Sequence, residues 1–491
     1  MFTFRRLFHR PSQATHSNAP ILFTNTLSGT KDIFTPRKAG TATLYSCGPT
    51  VYSKAQAGNL RAYVFSDLIA RVLASAGYHV HRVINITDVG HLVSDADEGE
   101  DKMQVGATRE GLTAEQIAIK YAKLFVADLD ALNINIKDIT FPRATDYIPE
   151  QIELVQELEK KGFTYRTSDG IYFDTQKFPG YGALGSQKDT QTREAAIADL
   201  GRRITANKEK HSPADFALWR FSPRTGKRLQ EWKSPWGYGF PGWHAECSAM
   251  ARTLLGQPID IHTGGIDHIP VHHTNEIAQS EAAYGIPLAR FWMHEAFMTM
   301  DGVKISKSLG NDVYLSDITE RGMHPLALRY FFMQAHYRTP ISFTWDAIQA
   351  ADEALHRLWK IARDVRASSS EKRAPSDASR RIIALLRDDL ATPAALALLW
   401  ETVRDDELSP AQIWDAIVTA DQVLGLELSN PPRAPAPAPL PPEIEELVEE
   451  RDRARAAKDY ARSDELRIHI ENRGYRVEDS PSGTVVTPVV R

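Results

Sequence analysis

The strongest constraint on the fold lies in the first hundred residues. An apolar, alternating stretch ends at Tyr45 to Cys47, and a Gly58-Asn59 pair follows. Val64, Leu68 and Val72 then recur at helical spacing, with Phe65, Ile69 and Leu73 beside them, and Gly77 stands where a helix stops. "HVHRVINIT" (His79 to Thr87) alternates apolar and polar residues, as a strand does. Apolar residues near a period of 3.6 predict a helix, and a period of two predicts a strand. Strand, loop, helix, strand is the order of a βαβ unit, which builds parallel sheets. The chain is therefore expected to be α/β.

At 491 residues it is too long for one core, and about three domains are expected. "TAEQ" (Thr113 to Gln116) has the form of a capping box opening a helix. Pro149 to Lys161 reads as another helix, closed by Gly162. Residues 163–235 are richer in Gly, Asp, Thr and aromatics and suit an insertion between the halves of a sheet. From about Ala351 the pattern turns helical, with a polar loop at Ser368 to Ser379. "NPPRAPAPAPLPP" (Asn430 to Pro442) is an extended, semi-rigid linker, because proline fixes φ. Beyond it Ile444, Leu447 and Val448 mark one helix, and Leu466 and Ile470 a second that ends at Gly474. The first 20 residues hold three Arg, two His and no acid. A short disordered tail is expected there, with a transit peptide as the alternative.

Net charge is -5, so any contact with nucleic acid has to come from local basic patches. No apolar run approaches the roughly 18 residues of a spanning helix, and no membrane role is expected. The two cysteines, Cys47 and Cys247, do not make a disulfide scaffold. A reducing, cytoplasmic compartment is expected, with the thiols either buried or bound to metal.

Two constellations carry chemistry. On a helix, His272 and Glu276 of "HHTNE" face the same way. With thiolates from Cys47 and Cys247 they make a possible four-ligand zinc site of two sulfurs, one imidazole and one carboxylate. Spacing alone equally accommodates two small buried thiols and a hydrogen-bonded surface histidine pair. The second constellation is "MDGVKISKSLGN" (Met300 to Asn311), whose Lys304 and Lys307 lie among serines and glycines. A loop of this kind holds phosphates, or is simply a solvated basic turn. Gly58 and Asn59 supply a complement, since a helix start exposes N–H groups to an anion.

Taken in order, "CGPTVY", "GNLRAYVF", "NITDVGHLVSDADEGEDKM", "PRATDYIPEQIELVQELEKKG", "GWHAECSAMA", "HHTNEIAQSEA", "FWMH" and "KISKSLGN" resemble the cysteinyl-tRNA synthetases of class I. The tail "AKDYARSDELRIHIENRGYRVEDSPSGT" is similar to the small C-terminal module of that family. The resemblance implies a Rossmann-like parallel-sheet catalytic domain over 21–130 and 236–295, split by a connective insertion over 131–235. It further implies a stem-contact region over 296–350 and a helical anticodon-binding domain over 351–429. The linker at 430–442 and a tRNA-binding module at 443–491 complete the layout. Expected chemistry is activation of L-cysteine with ATP and Mg2+, then transfer to the 3′ end of tRNA(Cys), by a monomer. Cys47, Cys247, His272 and Glu276 match the family's zinc ligands, and Thr87 and Trp243 its amino-acid pocket. Gly58, Asn59, Lys304, Lys307 and Asp267 match positions near ATP. No editing domain is expected, because a hydroxyl is a far poorer zinc ligand than a thiolate.

One departure stands out. Gln56 occupies the place of the family's signature histidine, and Ala57 that of an isoleucine. Glutamine keeps one N–H donor but never carries charge. A working synthetase is the expected reading. The alternatives are a weakened paralogue, or a ligase passing cysteine to a small amine. The helical segment after Ala351 argues against the last. In the tail, Arg451, Arg453, Arg455, Lys458, Arg462, Arg467, Arg473 and Arg476 suggest RNA contact, although the acids among them also fit a solvated helix face.

Overall fold

The computed structural model describes residues 19–91, 101–184, 208–223, 228–300, 303–304, 311–432, 440–480 and 483–488. Most of the tail expected over 1–20 and most of the linker expected over 430–442 lie outside the described residues. The chain forms two compact units, Met1–Pro431 and Pro432–Arg491.

The first unit is built on a five-stranded parallel sheet. Its strands are β3 (Thr41–Ser46), β4 (His79–Ile84), β5 (Ile139–Thr140), β11 (Ile259–Gly265) and β12 (Ala289–Glu295), ordered β12-β11-β3-β4-β5. A hairpin of β1 (Leu22–Asn25) and β2 (Thr30–Ile33) precedes them. The expected βαβ unit is present as β3, α1 (Ala57–Ser75) and β4, with Ser46 opposite Ile84. Side chains alternate across a strand, so the sheet has two apolar faces. Leu44, Ile84, Ile261 and Met293 share one core with Val64, Leu68 and Val72 of α1. Tyr45, Val83 and Trp292 point the other way, into a core with α5 (Trp243–Leu255) and α6 (Thr274–Tyr284). Each side chain buried in this way contributes about 1.5–3 kcal/mol.

Between β4 and β5 run α2 (Lys102–Glu110) and α3 (Ala114–Ala131). The capping box forms at the start of α3: Thr113 Oγ1 accepts from Gln116 N at 3.2 Å, and Gln116 Oε1 from Thr113 N at 2.9 Å. α4 (Ile148–Lys160) then ends at Gly162, whose φ of 78° suits glycine. A five-stranded antiparallel sheet follows, with β6 (Thr164–Arg166), β7 (Gly170–Phe173), β8 (Phe216–Phe221), β9 (Trp232–Ser234) and β10 (Gly237–Pro241) in the order β6-β7-β8-β10-β9. The insertion expected over 131–235 therefore differs in extent. Ile139–Thr140 still belong to the parallel sheet, paired with Arg82 and Val83, and the antiparallel strands span Thr164 to Pro241.

After β12 a small sheet forms from β13 (Met298–Met300), β14 (Val303–Lys304) and β15 (Ile341–Phe343), with α7 (Leu315–Glu320) and α8 (Pro325–Met333) between its last two strands. Four helices complete the unit: α9 (Trp345–Ser369), α10 (Asp377–Arg387), α11 (Thr392–Thr402) and α12 (Pro410–Leu424). A buried charge cluster joins these helices to the sheet domain. Arg329 of α8 donates to Asp67 Oδ2 of α1 at 2.7 Å, to Leu132 O at 2.9 Å and to Leu424 O at 2.7 Å. Among the described residues no helix is long and apolar enough to cross a membrane.

The second unit contains α13 (Pro442–Ala456), α14 (Tyr460–Glu471) and the hairpin β16 (Tyr475–Ser480) and β17 (Gly483–Pro488) around Ile444, Ile470, Val477 and Val486. Arg451, counted above among residues suggestive of RNA contact, is only 1% exposed and donates to Asp479 Oδ1 at 2.8 Å. Arg462 and Arg467 are paired with Glu450 and Glu471. Long cationic side chains on an amphipathic helix cannot be sorted into inward and outward from the pattern alone.

Candidate active site

In an open parallel sheet, ligands bind beyond the carboxyl ends of the strands, where the strand order reverses. Here the reversal lies between β3 and β11, and Cys47 is the residue after β3. Gly48 is required in that turn, since a Cβ there would lie 1.5 Å from Asn85 O. Cys247 comes from the middle of α5, while His272 and Glu276 flank the junction between a single π turn (Ile269–His273) and α6. Such turns recur at functional sites because they re-aim side chains.

The four sequence-predicted ligands come together. Their donor atoms all lie within 4.8 Å of one another. The thiols are free, with Sγ atoms 4.0 Å apart; Cys47 Sγ is 3.7 Å from Glu276 Oε1, and His272 Nε2 is 3.0 Å from the same oxygen. All four side chains are buried.

Around them stands a second layer that sequence reasoning missed. His244 Nδ1 and His272 Nδ1 are 3.0 Å apart, which leaves His272 Nε2 aimed at the cluster. His262 Nε2 holds the other Glu276 oxygen at 3.1 Å. His273 Nε2 reaches Cys47 Sγ at 3.3 Å, and a chain continues from His273 Nδ1 to His294 Nε2 at 2.7 Å and from His294 Nδ1 to Thr26 Oγ1 at 2.7 Å. Cys47, His262, His273 and Glu276 form an overlapping donor set. Its signal in the sequence was only the clustering of histidines in "HTGGIDHIPVHH".

The electrostatics sort the protons. Burial lowers the imidazolium pKa of His272, but the Glu276 carboxylate and the Cys247 thiol outweigh it and push it up to about 10. Burial likewise works against the Glu276 carboxylate, and His262 and His272 overcome it and hold its pKa well below the usual range. Cys247 is lowered to about 7, chiefly by the hydrogen bond from Cys47, whereas burial drives Cys47 up. Burial keeps His244, His273 and His294 neutral. A thiol poised to ionise, a carboxylate and an imidazolium thus face one another out of water, and the imidazolium gives up its proton when a cation takes its place. This set of two sulfurs, one nitrogen and one oxygen suits zinc rather than magnesium or calcium, which favour oxygen. The neighbouring histidines orient the ligands, as outer groups do at metal sites.

The second constellation assembles at the start of α1. Gln56 caps the helix; its backbone N–H donates to Asn59 Oδ1 at 3.1 Å, and its side-chain Nε2 donates to Asp312 Oδ1. Ala57 N donates to Val313 O at 2.7 Å. The segment leaving the lysine loop is therefore fastened to the helix start that carries Gly58 and Asn59. The backbone of Lys304 lies in β14 opposite Thr299, and Lys307 falls outside the described residues. Thr87 is buried and accepts from Asn85 Nδ2 at 3.1 Å. The Trp243 ring lies 4.4 Å from that of His272, on the wall of the thiol cluster. Asp267 follows β11 in a short helical turn, near Glu295, whose carboxyl is pushed up to about 8, mainly by burial.

A chain with this architecture has solved relatives. The structure of Mycobacterium tuberculosis methionyl-tRNA synthetase in complex with methionyl-adenylate matches with a TM-score of 0.55 at 17% identity, covering 80% of this chain and 92% of that one. The fold is thus that of the class I aminoacyl-tRNA synthetases. The family model described as tRNA synthetases class I (C) catalytic domain matches residues 33–353, and the one described as cysteinyl-tRNA ligase anticodon binding domain matches residues 438–485. Cysteine--tRNA ligase 1 of Burkholderia lata is 47% identical over 94% of this chain and 96% of its own length. The cysteine--tRNA ligase of Zymomonas mobilis is 41% identical over 94% of this chain and 96% of its own. The chain belongs to the cysteinyl-tRNA ligase family.

Proposed function

We infer that the protein activates L-cysteine with ATP and transfers the cysteinyl group to the 3′ end of tRNA(Cys). The observation that carries this reading is the gathering of two thiols, an imidazole and a carboxylate beyond β3, in a chain of this family. In the first step the cysteine carboxylate attacks the α-phosphate of Mg2+-ATP, the bond to the β-phosphate breaks, and pyrophosphate leaves. A terminal hydroxyl of the tRNA then attacks the activated carbonyl, and AMP leaves. Placement and charge stabilisation supply most of the rate in such chemistry.

Cys47, Cys247, His272 and Glu276 would hold a zinc ion; bound there, it supplies a Lewis acid that favours sulfur over a hydroxyl. A merely apolar pocket separates cysteine from serine poorly, so the thiol cluster is the selecting element. Trp243 and Thr87 shape the wall around the amino acid, and His244 and His262 keep the ligating groups oriented. Gln56 and Asn59 present donors at the helix start, with Gly58 allowing close approach of phosphate. Lys307 contacts the leaving pyrophosphate, Lys304 supports it, and Asp267 lies near the ribose. Residues 296–350 contact the acceptor stem. Residues 351–429 and the module after the linker engage the anticodon end; the family model named for anticodon binding falls on the latter.

The test is cysteine- and ATP-dependent pyrophosphate exchange, followed by charging of tRNA(Cys). Both are expected, with serine inert. Exchange supported equally by serine, or transfer to a small amine in preference to tRNA, would overturn the reading.

A further inference from the structure

Glu295 is the last residue of β12, and the register pairs it with Gly265, the last residue of β11. Side chains two apart on a strand share a face. Met293 belongs to the core that contains α1, so Glu295 lies on the α1 side of the sheet, while His294 turns the other way, to His273. Glu295 therefore stands apart from the thiol cluster. It sits at the carboxyl end of its strand, where open parallel sheets bind ligands.

No ion pair accounts for a carboxyl group in this place. Glu295 is 6% exposed, and its Oε2 is buried without a hydrogen-bond partner among the described residues. Burial, with Asp267 adding to it, pushes the carboxyl up to about 8. The group thus holds a proton at neutral pH and both donates and accepts. Arg61, whose charge opposes that shift, spends its bonds elsewhere. Nη1 donates to Ala296 O at 2.6 Å and Phe297 O at 3.2 Å, and Nη2 to Thr339 O at 2.8 Å. These bonds fasten the segment after Glu295 to α1. Gly58 lies against the same segment, since a Cβ on it would be 3.8 Å from Met298 Cβ. A buried polar atom left unpaired is costly, and in a native fold it calls for a reason.

Two carboxyl groups converge over Gly265. A Cβ on that glycine would lie 2.3 Å from Asp267 Oδ1 and 3.4 Å from Glu295 Oε1. The φ of Gly265 is -72°, open to any residue, so the glycine serves space and not conformation. Asp267 is exposed, and Glu295 is almost closed. A vicinal diol presents two adjacent hydroxyls, each a donor and an acceptor, and can bridge such a pair.

We propose that Glu295 is a nucleotide-binding residue that, together with Asp267, holds the two hydroxyls of the ATP ribose. The assignment rests on the reading of the protein as an ATP-dependent ligase. Phosphates at the α1 start and a sugar over Gly265 lie on one side of the sheet, along the segment that Arg61 anchors.

The experiment is equilibrium dialysis of the full chain with labelled Mg2+-ATP, 2′-deoxyATP and 3′-deoxyATP, run beside cysteine-dependent pyrophosphate exchange. Glu295→Leu removes the polar group at similar volume. Gly265→Ala leaves Glu295 in place and fills the space between the carboxyl groups, in a backbone conformation that alanine accepts. Thermal unfolding confirms that each variant is folded. Native protein is expected to bind ATP roughly tenfold or more tightly than either deoxynucleotide, the scale of a buried hydrogen-bonding group left unpaired. Each variant is expected to weaken ATP by a similar factor with the KM for cysteine unchanged. Glu295→Leu is further expected to lose the penalty for removing one of the two hydroxyls, the non-additivity of groups in contact. Native ATP binding in either variant, or weak binding by Glu295→Leu with both penalties intact, overturns the proposal. ATP binding that depends on Glu295 in a protein without exchange would sink the ligase reading and leave this site standing.

Discussion

Replacing Arg329 by Met removes the guanidinium that ties α8 to α1 and α12 while keeping most of the aliphatic volume. Arg329 is 0% exposed and makes three bonds, to Asp67 Oδ2, Leu132 O and Leu424 O. Its loss leaves two buried carbonyls unpaired, at about 1–3 kcal/mol each. Asp67 is not stranded, because Arg71 and Arg82 still hold it. The sum is about 2–6 kcal/mol, a range that contains the cost of breaking a buried ion pair from one side. The assay is urea unfolding followed by tryptophan fluorescence, with Arg338→Met as the comparison. Arg338 is 54% exposed and lies 3.7 Å from Asp389 Oδ2, so its loss is expected to cost less than about 1 kcal/mol. Equal unfolding curves for the two variants would refute the reasoning, since burial would then make no difference to the value of the charge.

Three further outcomes are expected. Burial works against the Asp67 carboxylate, but Arg71, Arg329 and Arg82 outweigh it and keep its pKa well below the ordinary value. A depressed carboxyl stabilises the fold above its unfolded pKa of about 3.9 and loses that contribution as pH falls below it. The stability gap between the native protein and Asp67→Asn should therefore shrink between pH 6 and pH 3; a constant gap contradicts it. Gln56→His should change cysteine-dependent pyrophosphate exchange by less than about tenfold, because the native amide is already anchored to Asp312; a rise near the ~10²–10³ worth of a whole oxyanion donor would mark the natural site as impaired. Removing residues 432–491, a unit with its own core, should depress tRNA charging far more than exchange, and equal loss of both activities counts against it.

The parallel sheet was legible because α1 and β4 carry clean periods, and because Thr113 and Gly162 punctuate helices by local rules. β5 escaped notice since two residues are too few to alternate. Cys47, Cys247, His272 and Glu276 could be grouped by residue type as a possible zinc site, but only the resemblance favoured that reading over two buried thiols, for the fold and not spacing brings Cys47 and Cys247 together. His262, His273 and His294 were illegible for the same reason: β11 and β12 pair His262 with Trp292 and Gly264 with His294, a register no single segment contains. Arg82 and Arg329 look like ordinary charges along their segments. Only packing reveals that they share one carboxylate.

The selecting role of the thiol cluster is tested most directly by metal analysis of the purified protein beside Cys247→Ser, with cysteine and serine compared in pyrophosphate exchange. One zinc per chain is expected in the native protein, and the variant should lose both the metal and the preference for cysteine. Native protein that carries no zinc yet still rejects serine would contradict the account.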